Sequence, residues 1–149
     1  MYKKILVPLD GSTRAEAILA HVEPMARLFE ATVLLLKVEE PGLLLGFDEV
    51  IDFTLYQQQR DRQRQESEAY LEAIATDLKA AGISSEIVIA TGAVVGTILE
   101  VADNDGAELI AMASHGWSGL SRVFYGSIAA GVLQRIDRPL LVVRSRDVS

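Results

Sequence analysis

The segment from Ala113 to Ser127 concentrates small residues that are suited to binding an anion. Alanine, serine and glycine stand at 113, 114, 116, 118 and 119, where they allow the backbone to approach a charged group closely. Gly126-Ser127 then opens a predicted helix, whose first amides are unpaired and carry the positive end of the helix dipole. These features predict a phosphate site, and the alternative for Gly126-Ser127 is an ordinary helix N-cap.

The glycines do not match the two common phosphate-binding motifs. No Gly-Lys-Ser/Thr follows them, so the segment is not a Walker A loop. The first predicted strand is not followed by G-x-G-x-x-G, which argues against a Rossmann dinucleotide site. That strand ends instead at Asp10, which we interpret as a ribose or metal partner in preference to a cap of the next helix.

Other polar residues of the segment give no catalytic set. His115 lacks an evident nucleophile and acid, so we interpret it as a loop-shaping residue rather than a general base. With His21 far away in sequence, the two histidines give no metal-site spacing. Trp117 is interpreted as a packing or lid residue, with an adenine or partner contact left open, and Tyr125 as part of the core or a dimer seam.

The elements that must position these residues alternate between strand and helix. Apolar runs predict strands, and apolar residues at helical spacing predict helices between them. Thr13 and Glu16 fit a capping box at the first helix, where Ser12 is the alternative cap, and Pro24 should kink that helix. The predicted strands are 5–9, 32–38, 85–90, 108–113 and 140–144, and the predicted helices are 13–29, 56–81, 94–105 and 127–136.

This alternation predicts an α/β fold with one open parallel sheet of five strands and helices on both faces. Ligands of such sheets bind beyond the carboxyl ends of the strands, where the strand order reverses. Because the phosphate segment follows strand four, strands one and four should be neighbours, which gives the order 3-2-1-4-5. Without a linker or an internal repeat, residues 1–149 are predicted to form a single domain.

Charge and composition exclude several classes of function. Fourteen basic and 21 acidic residues give a net charge of −7, the wrong sign for a nucleic-acid binder or for an anionic membrane surface. Arg60, Arg62 and Arg64 alternate with acids and predict a water-facing helix surface. No apolar run reaches the ~20 residues of a membrane span, no export signal is evident, and we expect a cytoplasmic protein. Residues 39–53 are interpreted as a lid over the core, with a partner surface as the alternative.

At these motifs the chain resembles the universal stress protein family. Nucleotide-binding members of that family carry G-x-x-G, nine residues and then G-[S/T]. Here Ala113-Ser114-His115-Gly116, the nine residues 117–125 and Gly126-Ser127 match all but the first glycine. The stretches KILVPLDGS at 4–12 and RPLLVV at 138–143 resemble the same family, so the likeness covers essentially the whole chain.

The resemblance implies an adenine-nucleotide α-hydrolase-like fold that binds ATP, or ADP or AMP, between the ends of strands one and four. It implies that Asp10 contacts the ribose or Mg²⁺-bound phosphates and that Val38, with Pro8 nearby, lies by the adenine. It further implies a homodimer through the last strand, Leu140 to Val143, acting in the stress response with little or no hydrolysis. The implied nucleotide-binding residues are Pro8, Asp10, Val38, Ala113, Ser114, His115, Gly116, Trp117, Ser118, Gly119, Gly126, Ser127 and Ile128.

Two positions depart from the family pattern. Ala113 replaces the first motif glycine and would be strained if its φ were positive. Trp117 stands where many relatives have Arg or Lys, so a charge that would neutralise phosphate is missing unless Arg122 replaces it. These departures motivate one alternative, a protein-interaction dimer that has lost nucleotide binding. A slow ATP-using enzyme is a second alternative.

Overall fold

The computed structural model describes residues 1–41, 53–114 and 126–145, and in them five strands alternate with four α-helices. A short 3-10 helix, Ala15–Ile18, leads directly into the first α-helix. In chain order the elements are β1 (Lys4–Pro8), α1 (Leu19–Phe29), β2 (Thr32–Glu39), α2 (Phe53–Ala80), β3 (Ser85–Thr91), α3 (Val94–Asn104), β4 (Leu109–Ser114), α4 (Ser127–Arg135) and β5 (Leu140–Arg144).

The five strands form one parallel sheet in the order β3-β2-β1-β4-β5, which confirms the predicted fold. In the register of the central strands, Leu6 pairs with Leu34 on one side and with Ile110 on the other. The strand order reverses between β1 and β4, so the carboxyl ends of these two strands flank the position where open parallel sheets bind ligands.

Apolar side chains of the central strands alternate between two helical layers. Ile5 and Val7 point toward α1 and α2, and both are fully buried. Leu6, also fully buried, points to the opposite face, which α3 and α4 cover. Because both faces of the sheet are covered, β1 and β2 read as continuous apolar runs rather than as an alternation of polar and apolar residues.

The turn between β1 and α1 differs in detail from the predicted capping box. The Oγ atom of Ser12 accepts a hydrogen bond from the Ala15 N–H at 3.2 Å and stabilises the turn before the 3-10 helix, whose N-cap residue is Arg14. Glu16 instead accepts a hydrogen bond from the Tyr70 hydroxyl of α2 at 3.1 Å. The capping box was wrong, because Thr13 precedes the N-cap residue Arg14 and Glu16 has a tertiary partner that local sequence does not reveal.

Within the described residues, no helix combines the length and the apolarity that crossing a membrane requires. The predicted lid falls mostly on residues 42–52, which lie outside the described part of the chain.

Candidate functional site

A cleft of ≈ 310 Å³ opens at the carboxyl ends of β1, β2 and β4, beside the start of α4. This volume is at the lower end of the range for small-molecule sites, roughly 300–1,000 Å³. Seven of the residues that sequence analysis assigned to a nucleotide site line it: Pro8, Asp10, Val38, Ala113, Ser114, Gly126 and Ile128. The fold therefore brings together residues that are more than a hundred positions apart in sequence.

The floor of the cleft is apolar and its rim is charged. Leu36, Ile98 and Met112 are buried and belong to the core layer beneath α3 and α4. Asp10 and Glu40 are exposed at the rim, where β1 and β2 end. A site of this kind can hold a flat apolar group on its floor and direct a polar group toward the rim.

Asp10 participates in the turn that follows β1. Its Oδ1 atom accepts hydrogen bonds from the Ser12 N–H at 2.9 Å and from the Ser12 hydroxyl at 2.6 Å. Gly11 has a φ of 90°, a left-handed conformation that favours glycine between them. Asp10 therefore shapes this turn and also lines the cleft, so the two interpretations of this residue are compatible.

Among the described residues, no side chain caps the N-terminus of α4. Gly126 is the N-cap residue, with φ 76° and ψ 148°, and its carbonyl accepts the Ala130 N–H at 3.0 Å. This conformation is available almost only to glycine. The first amides of the helix, at Ser127, Ile128 and Ala129, have no intrahelical acceptor and carry the positive end of the dipole. Such an end suits an anion.

Ser127 is exposed and does not line the cleft, although Ile128 after it does. Because Ser127 is the first residue of α4 and Gly126 is its cap, the serine hydroxyl does not cap its own helix. A contact of Ser127 with a phosphate at the mouth of the cleft stays a prediction.

Ala113 is a strand residue and is not strained. Glu30 is the only residue other than glycine with a positive φ in the described ranges, so the Ala113 methyl group meets no backbone conflict. The first departure from the family motif therefore has no steric consequence for the backbone.

Ser145 is a cleft residue that sequence reasoning missed. It is buried directly after β5, and its hydroxyl donates to the Ser114 carbonyl at 2.8 Å, while its N–H donates to the same oxygen at 3.3 Å. These bonds hold the end of β4 at the point where the 115–125 segment begins. The register of β5 against β4 places Ser145 there, and no local motif marks it.

Arg14 and Glu40 also line the cleft and were not predicted. Both follow the carboxyl end of a predicted strand within a few residues, which is the signal that would have found them. The predicted site residues His115, Gly116, Trp117, Ser118 and Gly119 lie outside the described residues, as do Arg122 and Tyr125.

Tyr70 of α2 contacts the segment that follows β1 through its hydrogen bond to Glu16. Burial, followed by the nearby carboxylates of Glu16 and Asp10, holds the pKa of the Tyr70 hydroxyl well above its ordinary value. The hydroxyl therefore stays protonated and donates to Glu16, which ties α2 to the first helical turn.

Comparisons with known proteins agree on one family. The model of the universal stress protein family matches residues 1–144. Universal stress protein MJ0577 of Methanocaldococcus jannaschii is 30% identical over 160 residues, covering 99% of this chain and 98% of that protein. Its solved structure has a TM-score of 0.81 at 29% identity and covers 99% of both chains.

Two structures with bound ligands share the fold. A universal stress protein in complex with cAMP has a TM-score of 0.72 at 23% identity, covering 97% of this chain and 98% of that one. A family member from Arabidopsis thaliana with AMP bound has a TM-score of 0.69 at 15% identity, covering 97% and 93%. With the family model matching almost end to end, the chain belongs to the universal stress protein family.

Proposed function

We propose that this protein binds an adenine nucleotide, with ATP as the first candidate, in the cleft between β1 and β4. The observation that carries the proposal is the N-terminus of α4, which no described side chain caps, at one end of a cleft with an apolar floor. The amides suit phosphate and the floor suits a purine, so one elongated ligand satisfies both.

In this proposal Val38 and Pro8 lie beside the adenine, and Asp10 contacts the ribose or the metal-bound phosphates. The phosphates lie toward Gly126, Ser127 and Ile128, and toward residues 113–119 of the motif. The family relatives crystallised with cAMP and AMP support an adenine nucleotide as the ligand class.

Binding of ATP to the purified protein tests the proposal directly. Calorimetry and thermal melting, each with and without Mg²⁺, should show saturable binding in the micromolar range. At ligand concentrations of 100 times the dissociation constant, binding stabilises the fold by about 2.7 kcal/mol and raises the melting temperature. Absence of both signals would contradict the proposal and favour the interaction dimer without nucleotide.

We expect little or no hydrolysis, so phosphate release over hours should stay near the rate of a protein-free control. Sustained ATP consumption that scales with protein concentration would instead favour a slow ATP-using enzyme.

The residues at the rim of the cleft suit a Mg²⁺ ion that is bound together with the nucleotide phosphates. Among the described residues, no three His, Asp or Glu side chains converge to hold a metal by themselves. Protein Mg²⁺ sites commonly use one or two carboxylates together with substrate phosphates, and Asp10 and Glu40 supply carboxylates at this rim. In the proposal the ion neutralises phosphate charge, and Asp10 orients it.

Asp10→Ala should weaken Mg²⁺-dependent ATP binding about tenfold and metal-free binding much less, because the variant removes a carboxylate ligand. Parallel titrations with Mg²⁺ and with EDTA measure the two losses. Ser12→Ala is the matched control, since it disturbs the same turn and keeps the carboxylate. Equal losses in both titrations would show that Asp10 acts only through the turn.

We also propose a homodimer that pairs through β5 and responds to nucleotide in the stress response. β5 is an edge strand, and Leu140, Leu141, Val142 and Val143 are all half-buried. Leu133 of the adjacent α4 is 57% exposed. An apolar edge strand requires cover, and a second copy of the strand supplies it.

Val142→Pro should raise the dimer dissociation constant at least about tenfold while the monomer stays folded. The Pro139 and Ser145 backbones bond to β4, so by the alternation of the strand the Val142 N–H faces away from β4. Proline therefore removes an outward donor and leaves the internal sheet intact. Sedimentation velocity measures the change, with Val142→Ala as the control. A dimer of unchanged strength in the proline variant would contradict pairing through β5.

A further inference from the structure

Arg14 is the only lysine or arginine among the described residues that line the cleft. The other charged residues there are Asp10 and Glu40, and the whole chain carries a net charge of −7. An anionic ligand would therefore meet an unfavourable field at the rim unless a local positive charge opposed it.

The turn that carries Arg14 is held by consecutive hydrogen bonds. Ser12 donates to Asp10 through both its N–H and its hydroxyl, and its Oγ atom accepts from Ala15. The Arg14 backbone is already helical, with φ −64° and ψ −44°, and its carbonyl accepts the Ala17 N–H at 3.2 Å. The backbone that carries the Arg14 side chain is thus held at the cleft.

We propose that Arg14 is a binding residue that makes the cleft discriminate nucleotides by the charge of their phosphates. The inference rests on the proposed function, because it concerns the same ligand. Arg14 lines the cleft from the turn after β1 and supplies a positive charge there.

The N-terminal amides of α4 and the guanidinium group of Arg14 bind phosphate in complementary ways in this proposal. The α4 amides are fixed dipoles and contact phosphate oxygens one at a time. A guanidinium group carries a full charge and donates to two phosphate oxygens at once. The contribution of Arg14 should therefore grow with the number of phosphates, and it should vanish for adenosine, which has none.

The test compares wild-type protein with Arg14→Gln, using ATP, ADP, AMP and adenosine by calorimetry at one salt concentration. We expect the glutamine variant to bind ATP and ADP about tenfold more weakly, AMP slightly more weakly, and adenosine with unchanged affinity. Arg62→Gln, on the exposed surface of α2, makes the same change in net charge and should bind all four ligands as the wild type does.

Three results would overturn the assignment. Equal weakening of all four ligands would show that Arg14 maintains the shape of the turn rather than contacting phosphate. Unchanged affinity for ATP would show that the side chain does not reach the ligand, although the proposed function would stand. Wild-type protein that binds none of the four would contradict the proposed function, and the role of Arg14 with it.

Discussion

Gly126→Asp should raise the dissociation constant for ATP on the order of 100-fold, while the domain stays folded. The new carboxylate would project at the N-terminus of α4, where the proposed phosphates lie. Repulsion between the charges, and competition of the carboxylate for the same amides, both oppose binding. Calorimetric titration measures the loss, and circular dichroism monitors the fold.

The substitution also strains the backbone, because φ 76° and ψ 148° at position 126 are unfavourable for any residue other than glycine. Strain of this kind costs about 1–3 kcal/mol, which is less than the roughly 5–15 kcal/mol that stabilise a typical domain. Gly82→Asp is the control: Gly82 also has a positive φ, 80°, with open space around it, and it does not line the cleft. ATP binding by Gly126→Asp as strong as that of the control would contradict the phosphate site.

Arg138→Ala should lower the free energy of unfolding by about 2–3 kcal/mol and leave nucleotide binding unchanged. The Arg138 side chain is 17% exposed, and its Nη1 atom donates to the carbonyls of Ala102 at 3.0 Å and Ala107 at 2.7 Å. It also pairs with Asp103 at the end of α3 and with Asp137. One guanidinium group thereby ties α3 and the start of β4 to the start of β5.

Denaturant unfolding at a fixed protein concentration checks this result, because a dimer would make stability depend on concentration. Arg135→Ala is the matched control: Arg135 is exposed in the last turn of α4, and its removal should change stability by less than about 0.5 kcal/mol. If both variants unfolded at the same denaturant concentration, the hydrogen bonds of Arg138 would contribute little. A large loss of ATP affinity in Arg138→Ala would contradict its separation from the cleft, since Arg138 precedes β5 at the amino edge of the sheet.

Arg138 has a structural role that differs from the reason for which the sequence singles it out. In the sequence it belongs to the RPLLVV stretch that resembles the family. The two carbonyls that it binds, those of Ala102 and Ala107, lie 36 and 31 positions earlier in the chain, so the structural role of Arg138 depends on the packing of α3 against β5.

The sequence by itself determined the strands, the helices and the strand order. Continuous apolar runs such as Ile5–Val7 predict strands that are covered on both faces, and these residues are fully buried in the structure. The order 3-2-1-4-5 followed from one further observation, that the glycine-bearing segment follows strand four. Most element bounds agree to within three residues, because apolar periodicity and strand-ending residues are encoded locally. The exception is the predicted helix 13–29, in which a turn and the 3-10 helix Ala15–Ile18 precede α1.

Only the tertiary structure brought Arg14, Glu40 and Ser145 into the cleft, beside the seven residues that were predicted from the sequence. These three residues follow three different strands, with Arg14 six residues after β1, and no pattern within a single segment connects them. Their convergence depends on the register and neighbourhood of β1, β2, β4 and β5, which are properties of the assembled sheet. Periodicity reports which face of an element is buried, whereas a binding site depends on where separate elements end relative to one another.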